Sequence, residues 1–367
     1  MKREWVFLFI LLIGTVNAVG SKGWADDLNG NGAEAHLLPL ELGTRFDDNV
    51  FMSYLENGRL SDDVYSLDGG GVVQARWDWL TGSLRYELDS DTYQFYSQLN
   101  NFKNDFELNL SANWAPLIPF YKNESFIRSS AYGDFDYFDE GNFGGLQWIS
   151  EAGWISELQY KNLSRQYFNQ SAPYQSRDFT DNGVSASLQK EWSESLIFKI
   201  EGGFNDRQFN RNAVAETGMG PATLADLQHD ETWSIDLGTH LYFGNILQDI
   251  HLDAERTNSN SYGFSNSVES FSWAGVLSPI ENFYLQLFFR IYDKVYDSTP
   301  LSIQEYPDLQ LGFVDEDGQD LLAVKGTWDW APQWNGSLGF SRVHTEFTQP
   351  GEYYIKNILS FQIDHNF

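Results

Sequence analysis

The chain has 367 residues, with 23 Lys or Arg against 52 Asp or Glu, so its formal charge is −29. This charge excludes a basic nucleic-acid binder, and we expect no nucleic-acid partner. The composition, 42% hydrophobic and 16% aromatic, is too rich in rings for a disordered acidic chain, and the lack of cysteine excludes disulfides, thiolate metal sites and a cysteine nucleophile.

The first 18 residues have the pattern of a secretory signal peptide. Lys2 and Arg3 precede an apolar run from Val6 to Ile13, and Ala18 ends a small-x-small cleavage site. A transmembrane anchor is the alternative, but the run is shorter than the ~20 apolar residues that a helical span needs. We therefore predict cleavage after residue 18, which leaves a formal charge of 21 − 51 = −30 on the mature chain.

Residues 19–36 are predicted to form a flexible polar tail in the periplasm. Asp27, Asn29 and Asn31 match positions 1, 3 and 5 of a calcium loop. Position 12 of that loop would be Leu38 in place of the bidentate glutamate, so the tail interpretation is favoured over a metal site.

From residue 37 to 367 the chain alternates apolar and polar residues in segments of about ten, which is the pattern of β-strands. Phe106, Leu108 and Leu110, for example, alternate with Glu107 and Asn109. Two all-β architectures fit this alternation. One is a soluble sandwich or propeller, and the other is a membrane barrel whose apolar face contacts lipid.

The spacing of turns favours the membrane barrel. Short turn signals recur at 78–82, 116–119, 151–153, 193–195, 244–247, 279–282 and 331–333. Longer polar stretches lie between them, among others at 47–61, 133–142, 210–230 and 297–318. Alternating short and long connections are typical of outer-membrane barrels with periplasmic turns and extracellular loops.

Tryptophans are concentrated beside the short turns, as in an aromatic girdle at a membrane interface. They are Trp77, Trp79, Trp114, Trp148, Trp154, Trp192, Trp328, Trp330 and Trp334.

The fold prediction is thus an all-β, transmembrane, antiparallel up-and-down β-barrel over 37–367, with about 16 strands and with periplasmic N- and C-termini. Its location would be the outer membrane of a Gram-negative bacterium. A barrel of about 16 strands encloses an aqueous channel, so solute passage is the expected function unless a loop plugs the lumen.

The last strand, NILSFQIDHNF, ends in Phe367 and resembles the terminal strand that bacterial outer-membrane barrels present to their assembly machinery. That machinery, outer-membrane lipid and lipopolysaccharide are the implied partners.

The opening strands resemble a more specific family. The segments LELGTRFDDNVFMSYLENGRLSDDVYSLDGGG (40–71) and SLRYELDSDTYQFYSQLNNFKNDFELNLSANW (83–114) are similar to β-barrel porin family 2, which occurs with exopolysaccharide and capsule loci. The resemblance covers about the first third of the chain. It implies polysaccharide export or surface assembly in a biofilm matrix, with a polysaccharide and a periplasmic export conduit as partners, and it carries no catalytic motif.

No catalytic constellation is found in the sequence. The six histidines, at positions 36, 229, 240, 251, 344 and 365, include no H-E-x-x-H pair, and no Gly-x-Ser-x-Gly elbow occurs. We therefore expect no enzyme activity, no cofactor and no metal.

The strand alternation predicts a lumen of mixed charge, in which opposite charges create a transverse field that orients polar solutes. The predicted lumenal charges are Arg76, Arg85, Lys199, Arg207, Arg290, Lys294, Glu107, Glu201, Asp253 and Glu255.

The strand over 283–296 contains the most specific functional signal. Its apolar face should contact lipid, which turns Tyr284, Phe288 and Tyr292 towards the lumen at ~13 Å per four residues. Aromatic side chains on the water-exposed inner wall can stack on the apolar faces of sugars, so we hypothesise that these three residues form a track for a glycan. The alternative is that they pack against a loop that folds into the lumen.

Three functions remain open at this stage. They are an export channel for exopolysaccharide or capsule chains, a general diffusion porin for small cationic or neutral solutes, and a structural barrel that scaffolds surface matrix assembly.

Overall fold

A computed structural model describes residues 32–48, 60–130, 136–168, 178–217, 220–298, 320–346 and 353–366. The predicted signal peptide, the calcium-loop fragment Asp27, Asn29 and Asn31, and the terminal Phe367 lie outside these residues.

The described residues form seventeen strands and one 3-10 turn, Ser97–Leu99. The strands are β1 Gly32–Leu37, β2 Leu40–Asp47, β3 Asp62–Arg76, β4 Leu80–Tyr93, β5 Asn101–Ala112, β6 Leu117–Ser130, β7 Tyr137–Ile149, β8 Trp154–Tyr167, β9 Phe179–Ser193, β10 Leu196–Thr217, β11 Gly220–Phe243, β12 Ile246–Ser259, β13 Asn266–Ile280, β14 Phe283–Tyr296, β15 Asp320–Ala331, β16 Trp334–Glu346 and β17 Tyr353–His365.

The sheet closes on itself. Strands β2 to β17 pair antiparallel in chain order, and β17 returns to pair with β2, from Ile358 opposite Asp47 to His365 opposite Leu40. The fold is therefore a closed antiparallel barrel of 16 strands, which confirms the predicted class and strand number. Closure removes the two open edges that would otherwise expose unpaired backbone groups to lipid.

Strand β1 continues the line of β2 towards the short-turn end of the barrel. It pairs with residues 71–76 of β3, and β2 pairs with residues 62–68 of the same strand. The break falls at Leu38 and Pro39, where the proline has no N–H to donate to a ladder. Among the described residues the first strand runs from Gly32, inside the stretch predicted as a flexible tail.

The two faces of the sheet are distinguished by contacts that cross an intervening strand. Arg45 on β2 reaches Asp91 on β4 at 3.0 and 2.9 Å, and Lys325 on β15 reaches Gln362 on β17 at 3.2 Å. Side chains of next-neighbour strands converge only on the concave side of a closed sheet. The face that holds these polar residues is therefore the inner wall.

The opposite face is apolar and exposed, as lipid contact requires. Leu158, Leu252, Leu338 and Leu359 on this face are more than half exposed. The nine tryptophans beside the short turns are exposed by 37–62%, as a girdle at one membrane interface would be.

The seven predicted short turns are all present, with two to four residues between strands. Two of the predicted long polar loops are wrong in extent. Strand β7 already begins at Tyr137, inside 133–142, and β10 with β11 fills most of 210–230. Their apolar residues, such as Phe138, Val214 and Leu227, do not recur at every second position, so no regular apolar alternation marks these segments as strands, yet their backbones pair with neighbours. Among the described residues, no helix is long and apolar enough to cross a membrane.

Candidate functional site: the inner wall

The ten predicted lumenal charges all lie on the inner face by strand alternation and register. Arg85 is opposite Glu107, Arg207 is opposite Asp181, and Glu201 and Asp253 flank Asp236 from the two neighbouring strands. Most are held by short-range partners. Lys199 contacts Glu201 at 2.6 Å, Glu107 contacts Lys122 at 3.1 Å, and Asp253 accepts a hydrogen bond from Ser270 at 2.7 Å.

Two rows of carboxylates cross the inner wall. In the first, Glu41 is directly opposite Asp68, which is directly opposite Asp89. In the second, Glu201, Asp236 and Asp253 are opposite one another on β10, β11 and β12. Like charges directly opposite each other destabilise a sheet, so these rows are expected to attract cations from the lumen.

The described residues contain no group of three or more His, Asp or Glu side chains arranged to hold a metal ion. His251 lies 3.3 Å from Asp236, and His240 contacts Asp249. These imidazoles therefore pair with single carboxylates on the wall.

The three predicted track residues lie on the inner face of β14. Phe288 stands between Ala274 and Ala323 on the neighbouring strands, Tyr292 is opposite Ser270, and Tyr284 is opposite Thr327. Beside these small neighbours the Tyr284 side chain is exposed, whereas Phe288 and Tyr292 are half-buried. Tyr284 is 38% exposed.

The row of aromatic residues is longer than the three that the sequence analysis named, because Tyr296 continues the four-residue repeat on the same face. Gln286, Arg290 and Lys294 fill the intervening inner positions, with Arg290 5.6 Å from the Phe288 ring and Lys294 5.3 Å from the Tyr296 ring. Rings and hydrogen-bond donors thus alternate along ~40 Å of strand.

Of a cluster near the long-loop end, the sequence analysis named Arg207 as a lumenal charge but missed its partners. Arg165 pairs with Asp139 through two bonds of 2.7 Å and lies 4.1 Å from the Tyr137 ring, and Arg207 lies 4.4 Å from the Phe179 ring. Asp139 fell inside a stretch assigned to a loop, so its strand parity was not considered. Cation–π and ion-pair contacts of this kind stiffen the wall.

The Arg45–Asp91 bridge gives a stability prediction. Asp91 is 7% exposed, so Arg45→Ala leaves its carboxylate without this bidentate partner and should lower the free energy of unfolding by about 1–3 kcal/mol. Arg85→Ala is the control, because Arg85 is 48% exposed and bonds Glu87 on its own strand, where about 0–1 kcal/mol is expected. Urea unfolding in lipid vesicles measures the free energy of unfolding of both variants. Equal losses of this free energy in the two variants would contradict the prediction.

Solved structures with a similar fold are outer-membrane proteins. Outer-membrane expressed OmpT of Vibrio cholerae aligns with a TM-score of 0.53 at 8% identity, over 93% of this chain and 99% of that chain. An anion-selective porin from Comamonas acidovorans aligns with a TM-score of 0.50 at 9% identity, over 92% of this chain and 100% of that chain. At such identities the likeness shows the fold alone, which is that of Gram-negative outer-membrane porins.

No family model and no curated protein sequence matches the chain. The resemblance of its opening strands to β-barrel porin family 2 therefore stays a prediction.

Proposed function

We propose that this barrel is the outer-membrane passage through which an exopolysaccharide or capsule chain leaves the cell. The observation that carries the proposal is the inner face of β14, where Tyr284, Phe288, Tyr292 and Tyr296 repeat every fourth residue.

The chemistry of this track suits a polysaccharide. Aromatic faces pack on the apolar faces of sugar rings, and Gln286, Arg290 and Lys294 place donors between them for hydroxyl or carboxylate oxygens. Weak contacts at several sites allow a chain to enter and also to leave. The passage needs no covalent step, and we propose that the protein works without catalysis.

One observation favours a diffusion porin for small cationic or neutral solutes as the second candidate. The carboxylate rows through Asp68 and Asp236 put negative charge on the wall. For either function we expect a reversal potential that shows cation preference across a tenfold salt gradient. Asp68→Asn with Asp236→Asn should reduce that preference, and an anion-selective channel would contradict this assignment.

The decisive experiment compares surface and periplasmic polysaccharide in a deletion strain carrying no gene, the intact gene or the same gene with a signal-peptide deletion. Export predicts loss of polysaccharide at the surface, retention inside, and restoration only by the exported protein. Unchanged polysaccharide on both sides would overturn export. In that case, ion conductance of the purified protein would indicate the porin, and its absence the structural barrel.

A further inference from the structure

The outer face of strands β8 to β11 contains an apolar groove. Ala186 on β9 is directly opposite Gly202 on β10, and Leu158 and Ile235 flank this pair on β8 and β11. Two small residues thus lie side by side between larger ones, and the groove at this point has a volume of about 350 Å³. A Cβ atom added at Gly202 would find its nearest neighbour at 3.7 Å, so the position is open towards lipid.

The groove faces the hydrocarbon of the membrane. Leu158 and Ile235 are exposed on the outer face, as is Leu188, which lines the groove on its short-turn side. A narrow apolar groove at this depth suits a linear acyl chain, because a chain that packs into it gains dispersion contacts with the side chains on either side. The groove alone does not select one membrane lipid over another, since all of them carry acyl chains.

A row of polar side chains crosses the same strands four residues nearer the long-loop end. Asn162 on β8, Asn182 on β9 and Asp206 on β10 are directly opposite one another on the outer face. From the girdle residue Trp154, strand β8 runs eight residues to Asn162. That distance is ~26 Å of strand, or about 20 Å of height at the usual tilt of a barrel strand. The row therefore lies at the edge of the apolar band that is farther from the tryptophan girdle.

Hydrogen bonds fix the side chains of this row. The Tyr160 hydroxyl donates to Asn182 Oδ1 at 2.9 Å, and Asn162 Nδ2 donates to the same oxygen at 2.8 Å. Asp206 contacts the His229 ring. In the part of the chain that the structure describes, the Asn182 side chain makes these bonds as an acceptor, and no acceptor is found for its Nδ2. Its two N–H groups are therefore available to a ligand.

The chemistry of the row favours a sugar headgroup. Asn162, Asn182 and Asp206 offer amide donors and a carboxylate acceptor, which match hydroxyl and amide groups. They include no Lys or Arg, the usual partners of a phosphate, so a phospholipid headgroup fits less well. Between the row and the groove, the Phe204 and Trp233 rings lie 4.5 Å apart, as suits an interface where rings contact both headgroup and hydrocarbon.

We propose that this surface is a binding site for lipopolysaccharide. One acyl chain of its lipid A occupies the groove at Ala186 and Gly202, and its sugar headgroup lies on the row at Asn162, Asn182 and Asp206. The long-loop end of such a barrel is the extracellular end, where the leaflet consists of this glycolipid. The ~13 Å of strand between row and groove is within the reach of an acyl chain. The site is on the lipid face, so it does not depend on what passes through the lumen.

The test measures lipid that binds to the purified full-length protein. The barrel is folded in detergent and titrated with lipid A, with phosphatidylethanolamine or with phosphatidylglycerol, and native mass spectrometry measures the fraction of folded protein that carries lipid. We expect lipid A to bind about tenfold more tightly than either phospholipid, which is the usual scale of two additional hydrogen bonds.

Two variants test the two halves of the site. Ala186→Leu fills the groove, and Asn182→Ala removes the amide donors from the row. Each should weaken lipid A binding by about fivefold, the usual scale of one lost hydrogen bond. Ala254→Leu is the matched control, because Ala254 is exposed on the outer face directly opposite Ile235, one strand beyond the groove. It adds the same bulk and should leave lipid A binding unchanged.

Three outcomes would overturn the proposal. Full lipid A binding by both folded variants would show that neither half of the site is used. Equal binding of lipid A and the two phospholipids by the wild type would contradict the glycolipid assignment. An equal loss in Ala254→Leu would mean that added bulk anywhere on the outer face weakens binding, which contradicts the groove. None of these measurements involves transport, so their failure is distinct from a failure of the proposed passage.

Discussion

Replacing Tyr284, Phe288 and Tyr292 together by alanine is expected to lower surface polysaccharide export about tenfold while leaving small-ion conductance within about twofold of the wild type. If each ring contributes about 0.5 kcal/mol, at the lower end for aromatic contacts, three rings amount to about 1.5 kcal/mol, which is about tenfold. Ions need no stacking surface, and smaller side chains widen the lumen. Measuring export and conductance on the same variant therefore separates chain binding from pore formation.

The matched control lies on the same strand. This control removes three apolar side chains from the outer face of β14, by Leu285→Ala, Phe289→Ala and Ile291→Ala. It should leave export unchanged, provided that the variant barrel assembles in the outer membrane. The amount of folded protein in the outer membrane is measured for both variants. Normal export by the folded track variant would refute the track, and equal loss in both variants would indicate a folding effect.

Placing arginine on the outer face at the middle of the membrane is expected to lower the free energy of unfolding by about 2–4 kcal/mol, because lipid cannot solvate its charge. Leu158→Arg tests this, since Leu158 is 54% exposed on β8, four residues from the girdle residue Trp154. Gln159→Arg is the control, because the next residue faces the inner wall opposite Gly145 and Ser185. Its arginine stays in water, and a change below about 1 kcal/mol is expected.

Unfolding by urea or guanidinium in phospholipid vesicles measures the free energy of unfolding of the Leu158→Arg and Gln159→Arg variants. A large loss at Gln159 with little loss at Leu158 would mean that the two faces have been assigned in reverse, and equal losses at the two positions would contradict the assignment. The same measurement in a detergent micelle should show a smaller difference, because water reaches the wall more easily.

The sequence predicted most of the barrel because alternation and turns are local signals. Apolar residues at every second position mark the outer face of a strand whatever its partners are, and Gly, Pro and Asn mark the short turns. The sixteen strands, the seven short turns and the inner position of Tyr284, Phe288 and Tyr292 all follow from signals within about ten residues of chain.

Where polar residues interrupt the alternation of a strand, this local signal is lost. Residues 133–142 and 210–230 were read as loops on that ground, although β7 begins at Tyr137 and β10 extends to Thr217. In water at the rim, neither face of the sheet has to be apolar, so only pairing with a neighbour distinguishes a strand from a loop. The Asp139–Arg165 pair and the buried Arg211 were missed for the same reason.

By itself, the sequence determined the strand class, an approximate number of strands and the face that a side chain occupies in the strands it predicted, because all three depend on the two-residue period of the chain. Only the tertiary structure decided how the sheet closes and what it encloses. Asn357 bonds Asp48 across 309 residues, and Val214 bonds Ser261 across 47 residues, so these contacts join strands that no short window contains. Beyond the end of its pairing with β9, the backbone edge of β10 is hydrogen-bonded at Val214 by Ser261 and Tyr262, which follow β12.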